Sequence, residues 1–224
     1  RFGLGLRYDL PLSGIAHGLN PSRAWKETVR GEPWVIGDTV NASIGQGYVQ
    51  TSPLQLAVMT ARLASGKDIE PRLVKSVNGI ETPNPEPASM GIDPGQLRRV
   101  QRGMYDVSNH RRGTAYGSRI IEDAYRMAGK TGTSQVRNED LPWNRRDHAL
   151  YVNFAPFEAP EIAVAVVVEH GGGGSTAAAP IARDVTLQAL YGGTPPLTAY
   201  PTKDRGRIRT QQEALERLVP QREI

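Results

Sequence analysis

The sequence predicts an α+β fold, an antiparallel sheet with helices on both faces. Three observations carry this. Leu150, Val152 and Phe154 alternate with Tyr151, Asn153 and Ala155, the two-residue period of a strand. Ile162–Val168 (IAVAVVV) is apolar and rich in β-branched residues, as in a strand buried on both faces. Pro156–Pro160 supplies the turn that makes the two a hairpin, and helical stretches flank the pair on either side. The order is helix, strand, helix, then strand–strand–helix.

Each element has its own signals. Residues 1–50 are punctuated by Gly and Pro, from Gly3 to Gly47, and read as a loop-rich segment that needs a partner layer. Ser52 stands before Pro53, with Gln55 three residues after it: a capping box with proline at the first helical position. Leu54–Ala64 is mostly apolar, a buried helix that Gly66 ends. Pro71–Val77 reads as a short strand and Asn78-Gly79 as a tight turn. The proline-rich stretch 82–95 is a linker loop.

Asp93 and Pro94 open a second helix, with Leu97, Val100, Met104 and Val107 on one face and Arg98, Arg99 and Arg102 between them. Arg126–Val136 follows as the next segment. Gly171–Gly174 leads into a helix from about Thr176 to Leu190, with Ile181, Ala182, Val185 and Ala189 as its apolar face. Residues 193–224 read as a polar, poorly packed tail, in which Gln211–Val219 forms an amphipathic turn or two.

Composition narrows the function classes. The 224 residues carry 27 Lys+Arg against 23 Asp+Glu, a net charge of +4, with 38% hydrophobic residues. The longest unbroken apolar run, Ile162–Val168, is far short of the ~20 residues that span a bilayer. There is no cysteine, which rules out disulfides, thiol catalysis and thiolate metal sites. The four histidines, His17, His110, His148 and His170, form no His-x-x-x-His pair, so neither a zinc site nor any other metal is expected. Trp25, Trp34 and Trp143 are scattered among the basic residues rather than interleaved with them, which argues against nucleic acid.

The chemistry-bearing stretch is Gly129-Lys130-Thr131-Gly132-Thr133-Ser134. Lys-Thr-Gly accompanies Ser-x-x-Lys and Ser-Asp-Asn in serine β-lactamases and penicillin-binding proteins. Lys130 offers a cation for a substrate carboxylate, and Thr131 a hydroxyl donor. Gly132 lets substrate backbone lie against the strand. The N–H of Thr133 is placed to meet a developing oxyanion.

More segments extend the pattern. They are Trp34–Asn41, Ile44–Tyr48, Thr51–Ala57, Arg112–Ala115, Ala128–Gln135, Asp147–Ala149, Phe154–Pro156, Glu169–Ser175 and Ala179–Arg183. In this order, over about residues 1–192, they resemble the transpeptidase domain of class B penicillin-binding proteins, most closely the elongation-type penicillin-binding protein 2. The resemblance implies a serine β-lactamase/transpeptidase-like fold, incomplete in this chain. It implies a peptidoglycan D,D-transpeptidase that forms an acyl-serine from D-Ala–D-Ala stem peptides and reacts with β-lactams. It implies no cofactor, and binding of the substrate by Lys130, Thr131, Gly132 and Thr133. It further implies a glycan polymerase of the elongation complex as partner, and the periplasmic face of the inner membrane as location, through an anchor outside these residues.

The nucleophile motif is absent from the chain: no serine has a lysine three residues later. Ser76-Val77-Asn78 has the form of the second motif but stands out of order, and reads as a strand-end turn. The serine, its lysine and the second motif are therefore expected upstream of Arg1. The chain, which starts on Arg rather than Met, is expected to be a C-terminal portion of the domain (1–192) plus the tail. The other explanation is a set of pieces numbered across a longer loop near Arg137–Asn138. On either, this chain alone is expected to be inactive. A non-catalytic cell-wall binding or scaffold module of the same fold is the alternative.

The remaining candidates read mainly as structural. His148 beside Asp147 opens a strand, Asp38 and Asn41 fix the turn before Gly45-Gln46-Gly47, and Arg98, Arg99, Arg102, Arg111 and Arg112 make a solvated basic face.

Overall fold

A computed structural model of the chain describes residues 1–135 and 147–218. The expected loop near Arg137–Asn138, Val136, Trp143 and the end of the tail lie outside the described residues. The architecture is α+β. Strands β3 (Ala128–Ser134), β4 (His148–Ala155) and β5 (Ile162–Val168) form an antiparallel sheet in that order. Lys130 stands opposite Val152, and Leu150 opposite Val167.

The strand period divides this sheet into two faces. Ala128, Phe154 and Ala163 lie on one, packed with Met104 of α4 (Pro94–Asn109) and Leu63 and Ala64 of α3 (Pro53–Ser65). Ala149, Tyr151 and Ala155 lie on the other, packed with Ala179, Ala182 and Leu187 of α5 (Ala179–Tyr191). Helices thus cover both faces as expected. The residues of β5 are half-buried rather than fully buried, because β5 is an edge strand among the described residues.

The helix signals hold where caps exist. Ser52 accepts from the Gln55 N–H, and Gln55 Oε1 accepts from the Ser52 N–H. Gln55 does more than cap: fully buried, its amide also donates to the carbonyls of Leu6 and His17 at 2.9 and 2.7 Å. Arg62, also in α3, donates to the carbonyls of Arg1 and Ile69 and pairs with Asp68. Two side chains of one helix thus satisfy loop carbonyls that would otherwise face the interior unpaired.

Five further expectations need correction. Residues 1–50 are not helix-free: α1 (Arg23–Arg30) and α2 (Ile36–Ser43) form there. Ser22 caps α1 and left-handed Gly31 ends it, both signals present in the sequence. Pro71–Val77 is not a strand over its length. Only β1 (Ser76–Val77) pairs, with β2 (Ile80–Glu81), around the Asn78-Gly79 turn. Leu73 and Val74 are exposed because no sheet face receives them. On α4, Val100 is exposed, and Gln101 instead meets α3 through the carbonyls of Leu63 and Ala64.

The buried face of α5 is also rotated from the expected one. Ile181 and Val185 are exposed, while Arg183 and Thr186 are buried beside Ala182 and Leu187. Polar groups go inside because each finds a partner. Thr186 accepts from the Asn153 amide at 2.8 Å, and Arg183 pairs with Asp184 and Asp204 at 2.8 and 2.6 Å. Finally, the residues after Gly192 are not loosely packed throughout. Ala199, Tyr200 and Ile208 join the α5-face core, and Arg205–Leu218 forms α6. Asp204 anchors this segment by its ion pair to Arg183, whose guanidinium also lies over the Tyr200 ring. No helix among the described residues is long and apolar enough to cross a membrane.

Arg183→Ala removes the only cation paired with Asp204 among the described residues and leaves a hole beneath Tyr200. The expected cost is about 3–5 kcal/mol, measured by urea denaturation. A loss below about 1 kcal/mol would show that the segment after Gly192 is held by its apolar contacts alone.

Candidate active site

The site is built on the open edge of β3. Its sequence, Ala-Gly-Lys-Thr-Gly-Thr-Ser, places Lys130 and Gly132 on the α3 face and Thr131 and Thr133 on the α5 face. Only β4 pairs with β3 among the described residues. In an antiparallel strand the N–H and C=O of one residue point to the same side. The Thr133 carbonyl points away from β4, since it accepts a bond from the Gln46 side-chain amide at 3.1 Å. The Thr133 N–H therefore points to the same open edge, as do the backbone groups of Thr131 two residues before.

Each sequence-derived residue has a definite place. Lys130 is exposed, and its ammonium donates to the Thr131 carbonyl at 2.7 Å on that edge. Thr131 is half-buried, with its hydroxyl 2.8 Å from that of Thr114. Gly132 lies opposite Leu150. Thr133 is exposed. The structure brings these four together on one edge, with a cation, a hydroxyl and backbone groups that no strand pairs with among the described residues: the equipment for holding an extended, anionic ligand.

Glycine sets the approach distances. A Cβ on Gly129 would collide with the Tyr151 hydroxyl, and one on Gly174 with the carbonyls of Leu150 and Gly132. The Gly-rich turn after β5 therefore presses its backbone directly onto β3. Tyr151, fully buried, shares a 2.7 Å hydrogen bond with Ser108 of α4, which pins the start of β3 against that helix. Burial pushes the Tyr151 hydroxyl far above its usual range, against the smaller opposing effect of Ser108, so it stays protonated.

The other candidates resolve as structural. His148 Nδ1 accepts from the His170 N–H at 3.0 Å, and the two rings lie 4.8 Å apart, so His148 fastens the turn after β5. Ser76 sits in the exposed β1–β2 hairpin. Arg98, Arg99 and Arg102 are solvent-facing, with Arg102 over Tyr105 and near Asp106. Asp38 accepts from Lys26 at 2.7 Å and from the Val35 N–H at 2.8 Å. Its carboxyl is held below the usual range, chiefly by the hydrogen bond from Lys26. The Asn41 carbonyl accepts from the Gln46 N–H at 2.9 Å, so α2 delivers Gln46 to β3.

Gln46, Thr114 and Gly174 were not legible as site residues one by one. Their only sequence signals are the positive-φ glycines on either side of Gln46, the Arg-Gly-Thr-Ala stretch and the glycine run. No cluster of three or more metal-binding side chains occurs among the described residues.

Known proteins resemble this chain. The family profile of the penicillin binding protein transpeptidase domain matches residues 1–187. The peptidoglycan D,D-transpeptidase MrdA of Haemophilus influenzae is 36% identical over 215 residues, covering 89% of this chain and 33% of that protein. MrdA of Escherichia coli is 34% identical over 189 residues, covering 78% and 30%. Among solved structures, Pseudomonas aeruginosa PBP2 in complex with WCK 5153 has 42% identity and a TM-score of 0.72, covering 89% of this chain and 45% of that one. Helicobacter pylori PBP2 in complex with MreC has 33% identity and a TM-score of 0.70, covering 85% and 34%. The chain thus spans about a third of the length of the curated relatives it matches.

Gly174→Ala forces a methyl group into two backbone carbonyls that cannot withdraw without breaking the sheet. We expect a loss of about 1–3 kcal/mol in urea denaturation. An unchanged midpoint would mean that the turn lifts off β3 freely.

The Lys26–Asp38 pair gives a pH dependence of known sign. The folded Asp38 pKa lies below the unfolded value of about 3.9, so its stabilisation is present above that value and is lost as pH falls through the folded pKa. Asp38→Asn is therefore expected to lower thermal stability at neutral pH. The deficit relative to wild type should shrink below about pH 4; a constant deficit would assign the effect to the Val35 turn rather than to charge.

Proposed function

The chain belongs to the penicillin binding protein transpeptidase domain family, of the PBP2/MrdA type, and from that membership we propose that it carries the substrate-holding strand of a peptidoglycan D,D-transpeptidase. The observation that carries this reading is the open β3 edge, with Lys130, Thr131 and the outward-facing backbone groups of Thr133 side by side.

On this reading a stem peptide ending in D-Ala–D-Ala adds to β3 as an extra strand. Its terminal carboxylate meets the Lys130 ammonium and the Thr131 hydroxyl, which turn from their present bonds to the charged group. The bare Cα of Gly132 admits the peptide backbone. A peptide amide takes the Thr133 carbonyl in place of Gln46, whose neutral side-chain bond is worth only about 1 kcal/mol. The carbonyl to be attacked then lies by the Thr133 N–H, which supplies half of an oxyanion hole.

The reaction is acyl transfer in two steps. A serine oxygen bonds to the penultimate D-Ala carbonyl carbon, the C–N bond breaks, and D-Ala leaves with the proton. An amine of a neighbouring strand then attacks the ester, and the serine recovers its proton. This chain has no Ser-x-x-Lys, so the nucleophile and its base come from outside it, and the isolated chain is inactive on this reading. No metal or organic cofactor enters either step. The relatives' setting extends the proposal: a periplasmic enzyme working with cell-shape proteins, of which MreC is the partner in the Helicobacter complex, and with a glycan polymerase.

Fluorescent penicillin is the direct test. The full-length protein is expected to take a covalent label and the 224-residue chain alone none. Lys130→Ala should slow acylation by roughly 10- to 100-fold, the loss of one charge-assisted contact, with little change in melting temperature because Lys130 is exposed. Absence of label on the full-length wild type would remove the transpeptidase reading in favour of a non-catalytic binding module.

A further inference from the structure

A cleft of about 650 Å³ opens between the 116–118 turn, the start of α5 and the helix α6. It lies on the α5 face of the sheet, the face that Thr131 and Thr133 share, but none of Lys130, Thr131, Gly132 and Thr133 lines it. Thr114 forms one wall and bonds to Thr131, so only a hydroxyl pair separates the cleft from β3.

Its charges are not balanced. Two carboxylates line it, Asp184 and Asp204, and both are engaged by the fully buried guanidinium of Arg183. Two cations line it as well. Lys203 has no hydrogen-bond or ion-pair partner among the described residues, and its ammonium hangs over Gly117, where a Cβ would come within 2.9 Å. Arg207 reaches only the neutral Gln211 amide, at 2.8 Å. The acids are satisfied and the cations are not, so the unmet demand is for an anion.

The remaining walls narrow the ligand. Pro180 and Ile181 give an apolar floor, and Ile181 is 46% exposed there. Ser175 and Thr176 offer hydroxyls that can pair with amide groups. No aromatic side chain lines the cleft, so it lacks the flat platform on which rings stack. The volume far exceeds that of a simple inorganic ion (~30 Å³ is one water's share of liquid).

We propose that this cleft is a second, non-catalytic peptide site, which takes a free carboxylate on Lys203 and Arg207 and the adjoining small apolar side chain on Pro180 and Ile181. Its lining shares no residue with Lys130–Thr133, and the proposal does not rest on the transpeptidase reading.

Titration calorimetry on the full-length protein tests it, with N-acetyl-Ala-Val as the free acid and as its C-terminal amide. The protein is treated first with benzylpenicillin, so that the β3 edge is filled. The acid is expected to bind, and the amide to bind on the order of tenfold more weakly or not at all. The double variant K203A/R207A should lose the acid by a similar factor. Both side chains are exposed, so its melting temperature should match wild type. No binding of the acid, equal binding of acid and amide, or full affinity in the double variant would each overturn the site. Loss of acid binding on penicillin treatment would overturn it too, by placing the peptide on β3. A protein that takes no penicillin counts against the transpeptidase reading alone, and the comparison of acid, amide and variant still decides the cleft.

Discussion

A sheet edge without a neighbouring strand is a row of unpaired donors and acceptors, and β3 presents one among the described residues. Such an edge invites any extended chain to pair with it. The structure manages this by local means. Lys130 folds its charge back onto the Thr131 carbonyl, and Gln46 covers the Thr133 carbonyl. Both covers are single bonds, from exposed Lys130 and half-buried Gln46, so a ligand with several bonds to offer can displace them. The edge is shielded against casual pairing without being closed.

Keeping that edge straight requires support from behind, and the support is largely polar. Ser108 bonds to Tyr151, Asn153 to Thr186, and Arg183 to Asp184 and Asp204. Each bond has a fixed geometry, so each sets the register of a helix on the sheet more narrowly than aliphatic contact alone. Buried Tyr151 also occupies the space a Gly129 side chain would need, which couples β3 to α4 through one hydroxyl. Two buried atoms, Asn153 Oδ1 and Arg183 Nη2, have no partner among the described residues. This side of the core carries a desolvation cost that apolar packing must offset.

The legible parts of the fold were those governed by short-range rules. The Ser52–Gln55 capping box, Asp93-Pro94, the Asn78-Gly79 turn and the β4–β5 hairpin follow from a few adjacent residues, and they formed where expected. The failures have a common cause. Arg183 reads as a surface residue until Asp204 is brought to it from twenty-one positions away. With the arginine inside, Ile181 and Val185 must turn out. Leu73 and Val74 read as strand until no neighbouring strand arrives. For the site, Lys130–Thr133 was visible because its chemistry is contiguous. Gln46 was not, because the bond to Thr133 joins residues eighty-seven positions apart.

The same reasoning shows how little side-chain chemistry the proposed site on β3 would need. Three of its properties belong to the backbone: an open edge, a bare Cα at Gly132 and close seating of the Gly174 turn. Backbone donors held by a sheet need no side-chain ordering when a ligand arrives, so little entropy is lost on binding. Side chains are then needed only for charge and one hydroxyl, and Lys130 and Thr131 provide both. The rigid part of the site is held by the glycines, Tyr151 and the polar bonds behind the sheet. The part that moves is confined to the side chains of Lys130, Thr131 and Gln46, the three groups whose present bonds a bound peptide would have to replace.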